Sequence, residues 1–269
     1  MSPISGSETD DEHGADSSGL RRATELLTGT AGRRGLGWGT LSVALEYPTA
    51  GLAEALRSGA LASDLEAAIA WLDRDGDRFV APLATLRDAG REGANDAPDE
   101  VLTRLEIEYT RLFVGPGPVP VSPYGSVYRD RDPVSGRPTL AGPSTRAVEA
   151  LYAHYDLRPS AQRRDMPDHV ATELEFMYVL CRRERDAWAT KDAAQGKELR
   201  RAQQAFVAEH LRPWLPDFCQ RLAAAAREPL YAAIAGFLSA YLLVESGTPY
   251  AHSLQGVFAA PSGAGSARR

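Results

Sequence analysis

The sequence predicts an all-α protein, a single helical-bundle domain of roughly nine to eleven helices with one long Pro/Gly-rich loop. Apolar residues recur at spacings of three and four, as at Leu61, Leu65, Ala68, Ile69 and Leu72, with charges on the opposite side. That is the period of a helix with one buried face. No segment alternates apolar and polar residues as a half-buried strand would, and no fixed-period repeat is present. Breakers such as Pro48, Gly59, Gly90, Pro213 and Pro229 cut the pattern into helix-length pieces.

Taken in order, residues 1–17 are rich in Ser, Asp, Glu and Gly and poor in aromatics, and are expected to be a disordered acidic extension. Ser17 or Ser18 caps a short helix over LRRATELL, and GWGTLSVALEYP (37–48) forms a second, apolar helix that Pro48 ends. Thr49 opens another through Leu52 and Leu56. The stripe from Leu61 to Leu72 and that of Phe79, Leu83 and Leu86 flank DRDGDR (73–78). This segment starts like a calcium loop but has Ala84 where the closing acid belongs, so it is expected to be a turn. Pro98, Asp99 and Glu100 open a helix through Leu102, Leu105, Tyr109 and Leu112, with Glu106 beside its apolar face and Glu108 pointing elsewhere.

Then comes YTRLFVGPGPVPVSPYGSVY (109–128), dense in Pro and Gly yet punctuated by large apolar groups. Residues 114–142 form an irregular connection of a length that in compact domains is generally functional or disordered, and its aromatics favour function. Ser144 caps a helix carrying Val148, Leu151, Tyr152 and Tyr155. MPDHVATELEFMYVLCRRERDAWA is the longest amphipathic helix, capped by Asp165 or Asp168. Further helices follow over 198–211, 214–226 and 230–246, and 255–269 is expected to be a flexible tail, which leaves a helical domain of 18–254.

Composition narrows the function. Thirty basic residues against 36 acidic ones give a formal charge of −6, unlike the basic surface of a nucleic-acid binder. Cys181 and Cys219, the sole cysteines, have neither CxxC nor Cys/His spacing and read as half-buried thiols in a reducing compartment. The N-terminus lacks the apolar segment of a secretory signal, and no apolar run approaches the ~20 residues of a membrane span, so a cytoplasmic protein without membrane insertion is expected. The pairs Arg21-Arg22 and Arg33-Arg34 precede no uninterrupted apolar segment and read as solvated charges.

Chemistry-bearing constellations are weak. His169 and Glu173 share a helix face, but a zinc protease wants HExxH plus a third ligand, and His13, His154, His210 and His252 show no such spacing. Ser126 in YGSVY is not a nucleophile elbow, and Gly115 to Gly117 lacks the ending of a phosphate loop. No enzyme, no metal and no cofactor is expected. Tyr109, Phe113, Tyr124 and Tyr128, clustered on a helix end and a stiff loop, offer contact area suited to peptide recognition.

The pattern LF-x-GP-x(5)-SPYGSVY, followed some way on by PDHVATELEFM, resembles the TorD/DmsD/NarJ family of redox-enzyme maturation chaperones, its TorD/DmsD branch in particular. LSVALEYPT (41–49) is similar to that family's first helix with its Tyr-Pro turn. The resemblance implies a cytoplasmic, non-enzymatic chaperone without a cofactor. It would bind the twin-arginine signal peptide of a molybdenum-cofactor oxidoreductase of DMSO-reductase type, guarding the precursor until the cofactor is loaded. Carried over by position, the implied signal-peptide site is Leu112, Phe113, Pro123, Tyr124, Tyr128, Asp168, His169 and Glu173, with Trp common in relatives at the position of Tyr124. Such a peptide calls for an apolar groove beside carboxylates, since arginines favour bidentate carboxylate partners. Leu112, Phe113, Tyr124 and Tyr128 are expected to line the groove, and Asp168, Glu173 and Glu106 to face the arginines. A homo-oligomer is compatible with this picture, and the alternative is a helical scaffold or assembly protein that binds a folded partner without reading a signal peptide.

Overall fold

A computed structural model describes residues 10–72, 75–158 and 165–247, with side chains for all of these but 10–20 and 247. Its eleven α-helices run as α1 (Asp10–Ala44), α2 (Ala50–Arg57), α3 (Ala60–Ile69), α4 (Val80–Gly93), α5 (Pro98–Tyr109) and α6 (Gly125–Arg129). They continue as α7 (Pro143–His154), α8 (Val170–Ala189), α9 (Ala193–Phe206), α10 (Leu215–Ala225) and α11 (Pro229–Gly247). Short π-turns extend α5 and α9, and among the described residues there is no strand, only isolated bridges. One contiguous apolar core reaches from Trp38 to Val244. The all-α expectation is met.

The largest departure is α1. Two helices were expected, and Ser17 or Ser18 was expected to cap the first; instead Asp10–Ala44 is one helix that contains both serines. Of the expected acidic extension, residues 1–9 lie outside the described residues and 10–17 are the opening turns of α1, while the expected tail (255–269) also lies outside. Two glycines of this helix are sites of close approach. A Cβ on Gly35 would stand 3.2 Å from Cys181 Cβ, and one on Gly39 3.1 Å from the Tyr178 ring, so these two glycines let α1 lie against α8. Glycine weakens a helix without breaking it, and burial of the α1 stripe offsets that loss.

The Arg33-Arg34 pair divides. Arg33 is exposed as expected, but Arg34 is completely buried, which overturns the solvated reading. Its Nε and Nη2 donate to the two oxygens of Glu245 at 2.6 Å each, Nη1 to Glu184 Oε2 at 3.0 Å, and Nη2 also to Gln203 Oε1 at 2.7 Å. Gln203 Nε2 returns a bond to Glu184 Oε2, Trp188 Nε1 donates to Glu184 Oε1, and Arg200 Nη1 reaches Glu245 Oε2. One guanidinium thus ties α1 to α8, α9 and α11. Burial alone would raise the Glu245 carboxyl, yet Arg34 and Arg200 hold it below the ordinary carboxylate range.

Helix α11 carries the far side of the core through Tyr231, Ile234, Phe237, Leu238 and Tyr241, all buried. By length and composition Pro229–Ser246 could cross a membrane, contrary to the expectation that no run is long enough; here 67% of that window is buried inside the fold. Cys181 and Cys219 are free and fully buried rather than half-buried, and burial pushes both thiols up to about 12.

Caps were read with mixed success. Thr49 Oγ1 accepts from Leu52 N at 3.2 Å, as expected, and Pro98 opens α5 with Asp99 and Glu100 in its first turn. Ser144 does not cap α7, which starts after Gly142; its N–H and hydroxyl donate to Asp130 instead. Neither Asp165 nor Asp168 caps α8; His169 does, its Nδ1 accepting from Ala171 N at 3.2 Å. Glu108, expected to point elsewhere than the apolar face, is buried: it accepts a two-pronged contact from Arg111 and receives Arg227 N at 2.6 Å, joining α5 to the α10–α11 turn.

Replacing Arg34 with Met leaves Glu184 without its guanidinium and Glu245 with Arg200 alone, and breaking a buried ion pair typically costs ~3–5 kcal/mol. Urea unfolding of Arg34→Met should show a loss of about that size, while Arg33→Met, on the exposed neighbour, should fall within ~0.5 kcal/mol of the parent.

Candidate functional site

The Pro/Gly segment and the start of α8 form one clasp. After α5 a π-turn (Thr110–Val114) ends at Gly115, whose φ of +85° and whose N–H to Thr110 O (2.8 Å) turn the chain sharply. A left-handed residue there suits glycine, and a Cβ would also stand 2.9 Å from Gly117 O. The loop folds back as Val121 N donates to Leu112 O at 3.2 Å and Tyr128 Oη to Ser122 O at 2.9 Å. It then meets PDH: Val170 N donates to Pro123 O (2.8 Å), Gly125 N to Asp168 O (2.9 Å) and Ser126 N to Asp168 Oδ2 (2.8 Å). The Tyr124 and His169 rings lie edge to face at 5.3 Å. Trp214 Nε1 donates to Glu173 Oε2 at 3.2 Å, and its ring faces Gly125, where a Cβ would sit 3.1 Å away.

All eight residues of the expected site belong to this clasp or the core behind it, but few reach the surface. Leu112 and Asp168 are 0% exposed, Glu173 1%, His169 2% and Phe113 6%, and Pro123 is buried as well. Phe113 packs against Tyr109, Phe218 and Tyr231 as core rather than lining a groove. Tyr124 and Tyr128 are half-buried and form the accessible rim. The carboxylates expected to face arginines therefore point inward. Asp168 receives a loop amide, and Glu173 has its carboxyl pushed well above the ordinary range by burial. Glu106 stays half-exposed on α5.

A second feature was invisible in the sequence. Helices α1, α2, α3 and α8 enclose an open cavity of about 430 Å³, floored by Leu52 and Leu61 and walled by Val43, Ala55 and Tyr178. Among the described residues that line it are three acids from separate elements, Glu46 just past α1, Asp64 of α3 and Glu175 of α8. It connects to the clasp through the end of α1. Tyr47, 52% exposed, lies 5.4 Å from the Tyr109 ring, and Glu46, Asp165 and Tyr124 all act electrostatically on the Tyr109 hydroxyl. Among the described residues no group of three or more His, Cys, Asp or Glu side chains is arranged to hold a metal.

Asp168→Ala removes the acceptor of Ser126 N–H, a bond to a charged group worth about 1.5–3 kcal/mol. Hydrogen exchange at Gly125 and Ser126 should accelerate by at least tenfold, while amides in the middle of α8 keep their protection. For Glu173, a raised folded pKa means that stability is fully present below the unfolded value of about 4.3 and is lost as pH rises through the folded one. Glu173→Gln, which keeps an acceptor for Trp214, should raise the melting temperature by about 2–4 °C near pH 8, corresponding to ~1 kcal/mol, and leave it unchanged below about pH 4.

With this geometry in view, comparison with known proteins is specific. The profile of the family described as "Nitrate reductase delta subunit" matches residues 59–220. The chain is 36% identical over 133 residues to a chlorate reductase assembly chaperone protein from Ideonella dechloratans, covering 48% of this chain and 64% of that one. It is 37% identical over 129 residues to a selenate reductase assembly chaperone protein from Thauera selenatis, covering 47% and 62%. A Tat proofreading chaperone, DmsD, from Salmonella typhi is 30% identical over 130 residues, covering 48% and 54%. The matches thus span less than two thirds of these relatives' own lengths. The profile nonetheless takes in more than half of the chain, both motifs included, and the chain belongs to this family, the TorD/DmsD/NarJ family whose signature it carries.

Proposed function

We propose that this chain is a cytoplasmic, non-catalytic chaperone for the maturation of a molybdenum-cofactor oxidoreductase, binding the twin-arginine signal peptide of its client until the cofactor is loaded. The relatives' names, as assembly chaperones of chlorate and selenate reductases and as a Tat proofreading chaperone, support this reading. The observation that carries it is the clasp itself: the two signature motifs meet and leave Tyr124 and Tyr128 on a half-exposed rim. In this reading the signal peptide touches Tyr124 and Tyr128. Leu112, Phe113, Pro123, Asp168, His169 and Glu173 act from behind as positioning residues. The chaperone needs no cofactor of its own, since the molybdenum centre belongs to the client.

The burial of Asp168, His169 and Glu173 favours a second reading, a helical scaffold for a folded partner in which the motifs are architecture. Calorimetry with a synthetic twin-arginine signal peptide separates the two. On the chaperone reading Tyr124→Ala weakens binding about tenfold, or ~1.4 kcal/mol, and rising salt weakens the parent as exposed ion pairs are screened. Co-purification of a mature, signal-free oxidoreductase together with no measurable peptide affinity would favour the scaffold.

A further inference from the structure

We propose that a second cavity, between α7, α8 and α9, is a binding site for a small, uncharged aromatic molecule that carries an N–H or O–H donor, an indole or a phenol. The inference goes beyond the chaperone reading and does not rest on it, since the described lining of this cavity shares no residue with the clasp. At about 300 Å³ the cavity lies at the small end of the ~300–1,000 Å³ of ordinary ligand sites, room for one or two fused rings. Tyr155 just past α7, Phe176 of α8 and Phe206 of α9 form its aromatic walls. The Phe206 ring meets Phe176 edge to face at 4.8 Å, and the Tyr155 ring meets it likewise at 5.6 Å. Walls made of ring faces and ring edges favour a flat aromatic guest, which can stack offset or stand edge on against them.

His210 makes this more than an apolar gap. It belongs to the π-turn (Val207–Leu211) that extends α9, is 8% exposed, and stacks on Phe206 with ring centroids 5.0 Å apart and planes at 17°. Its Nδ1 is buried and has no hydrogen-bond partner within the fold. Buried polar atoms nearly always have a partner, so an orphan in a cavity wall has bonding capacity left for a guest. Burial, and after it the Arg129 guanidinium, hold the imidazole below its ordinary range against an opposing pull from Glu209. The ring is therefore neutral at neutral pH and keeps one lone pair in either tautomer.

Glu209, exposed on the lining, is a second acceptor. Two acceptors beside aromatic walls call for a donor on the guest. The Glu209 charge, with no Lys or Arg among the described lining residues, repels carboxylates and phosphates, nucleotides included. His154 also lines the cavity, but among the described residues no three such side chains are arranged to hold a metal, which leaves an organic guest.

The test is a ligand-observed NMR titration of the full chain with indole, with 1-methylindole, which lacks the donor, and with the anion indole-3-carboxylate. His210→Phe keeps a ring against Phe206 and removes both nitrogens, and Ala205→Trp fills the cavity from an exposed position. The inference requires indole to bind the parent with a dissociation constant of about 1 mM or tighter, as suits so small a probe. It requires a loss of about tenfold for 1-methylindole, for the carboxylate and in His210→Phe, and a larger loss in Ala205→Trp. Because Ala205 is exposed, Ala205→Trp is expected to keep the parent's melting curve and carries the test even if His210→Phe folds poorly. No binding of indole to the parent, or parent-like binding in Ala205→Trp, would overturn the site. Equal binding of indole and 1-methylindole would overturn the class of guest. None of these outcomes bears on signal-peptide binding, which the Tyr124→Ala calorimetry decides separately.

Discussion

A guanidinium removed from water must find partners for its donors inside the fold, and Arg34 finds them on three other helices. Its contacts with Glu184, Gln203 and Glu245 can be made together only if α8, α9 and α11 stand at fixed distances from α1. Such an ion-pair cluster adds little net stability over a well-packed apolar one, but it penalises every arrangement that leaves a member unpaired. Apolar packing tolerates sliding; this cluster does not. The close approach of α1 to α8 at Gly35 and Gly39 lies beside it, so steric fit and charge pairing fix the same register. The clasp and the cavity beside α2 and α3 both inherit their geometry from that register, because the start of α8 forms one and its middle helps wall the other.

Much of this was legible in the chain. Periodicity located nearly every helix, Thr49 and Pro98 marked true helix starts, and the two motifs proved to be partners in space. What failed has a common cause: local sequence signals report propensity, while the fold spends residues on contacts between distant segments. The close approach of α8 at Gly35 and Gly39 could not be read, because nothing nearby in the chain indicates that α8 presses against them. Arg34 read as solvated and Glu108 as turned from the apolar face because charge is normally exposed, and partners that justify burying them lie far along the chain.

The candidate site shows the same asymmetry. That the loop and PDH belong together could be read; which way their side chains face could not. An aspartate that binds a peptide arginine and one that holds a loop amide leave the same mark in a sequence, and Asp168 does the second here. His169 likewise serves as a helix cap where its spacing to Glu173 drew attention as a constellation. The cavity beside α2 and α3 had almost no signature, since its carboxylates come from α3, α8 and the residue pair after α1 and never share a motif.

The clasp is closed largely by main-chain groups: Pro123 O, Gly125 N and Asp168 O supply the bonds while the Tyr124 side chain leans over the outside. A joint built from the backbone does not depend on which side chain it displays. The exposed face at position 124 can therefore change in size or polarity while the loop keeps its path, whereas a change at Gly125, pressed against Trp214, disturbs the joint itself. Variation of the rim is thereby decoupled from folding: the side chain at position 124 can diverge by substitution with the helical frame beneath left as it is.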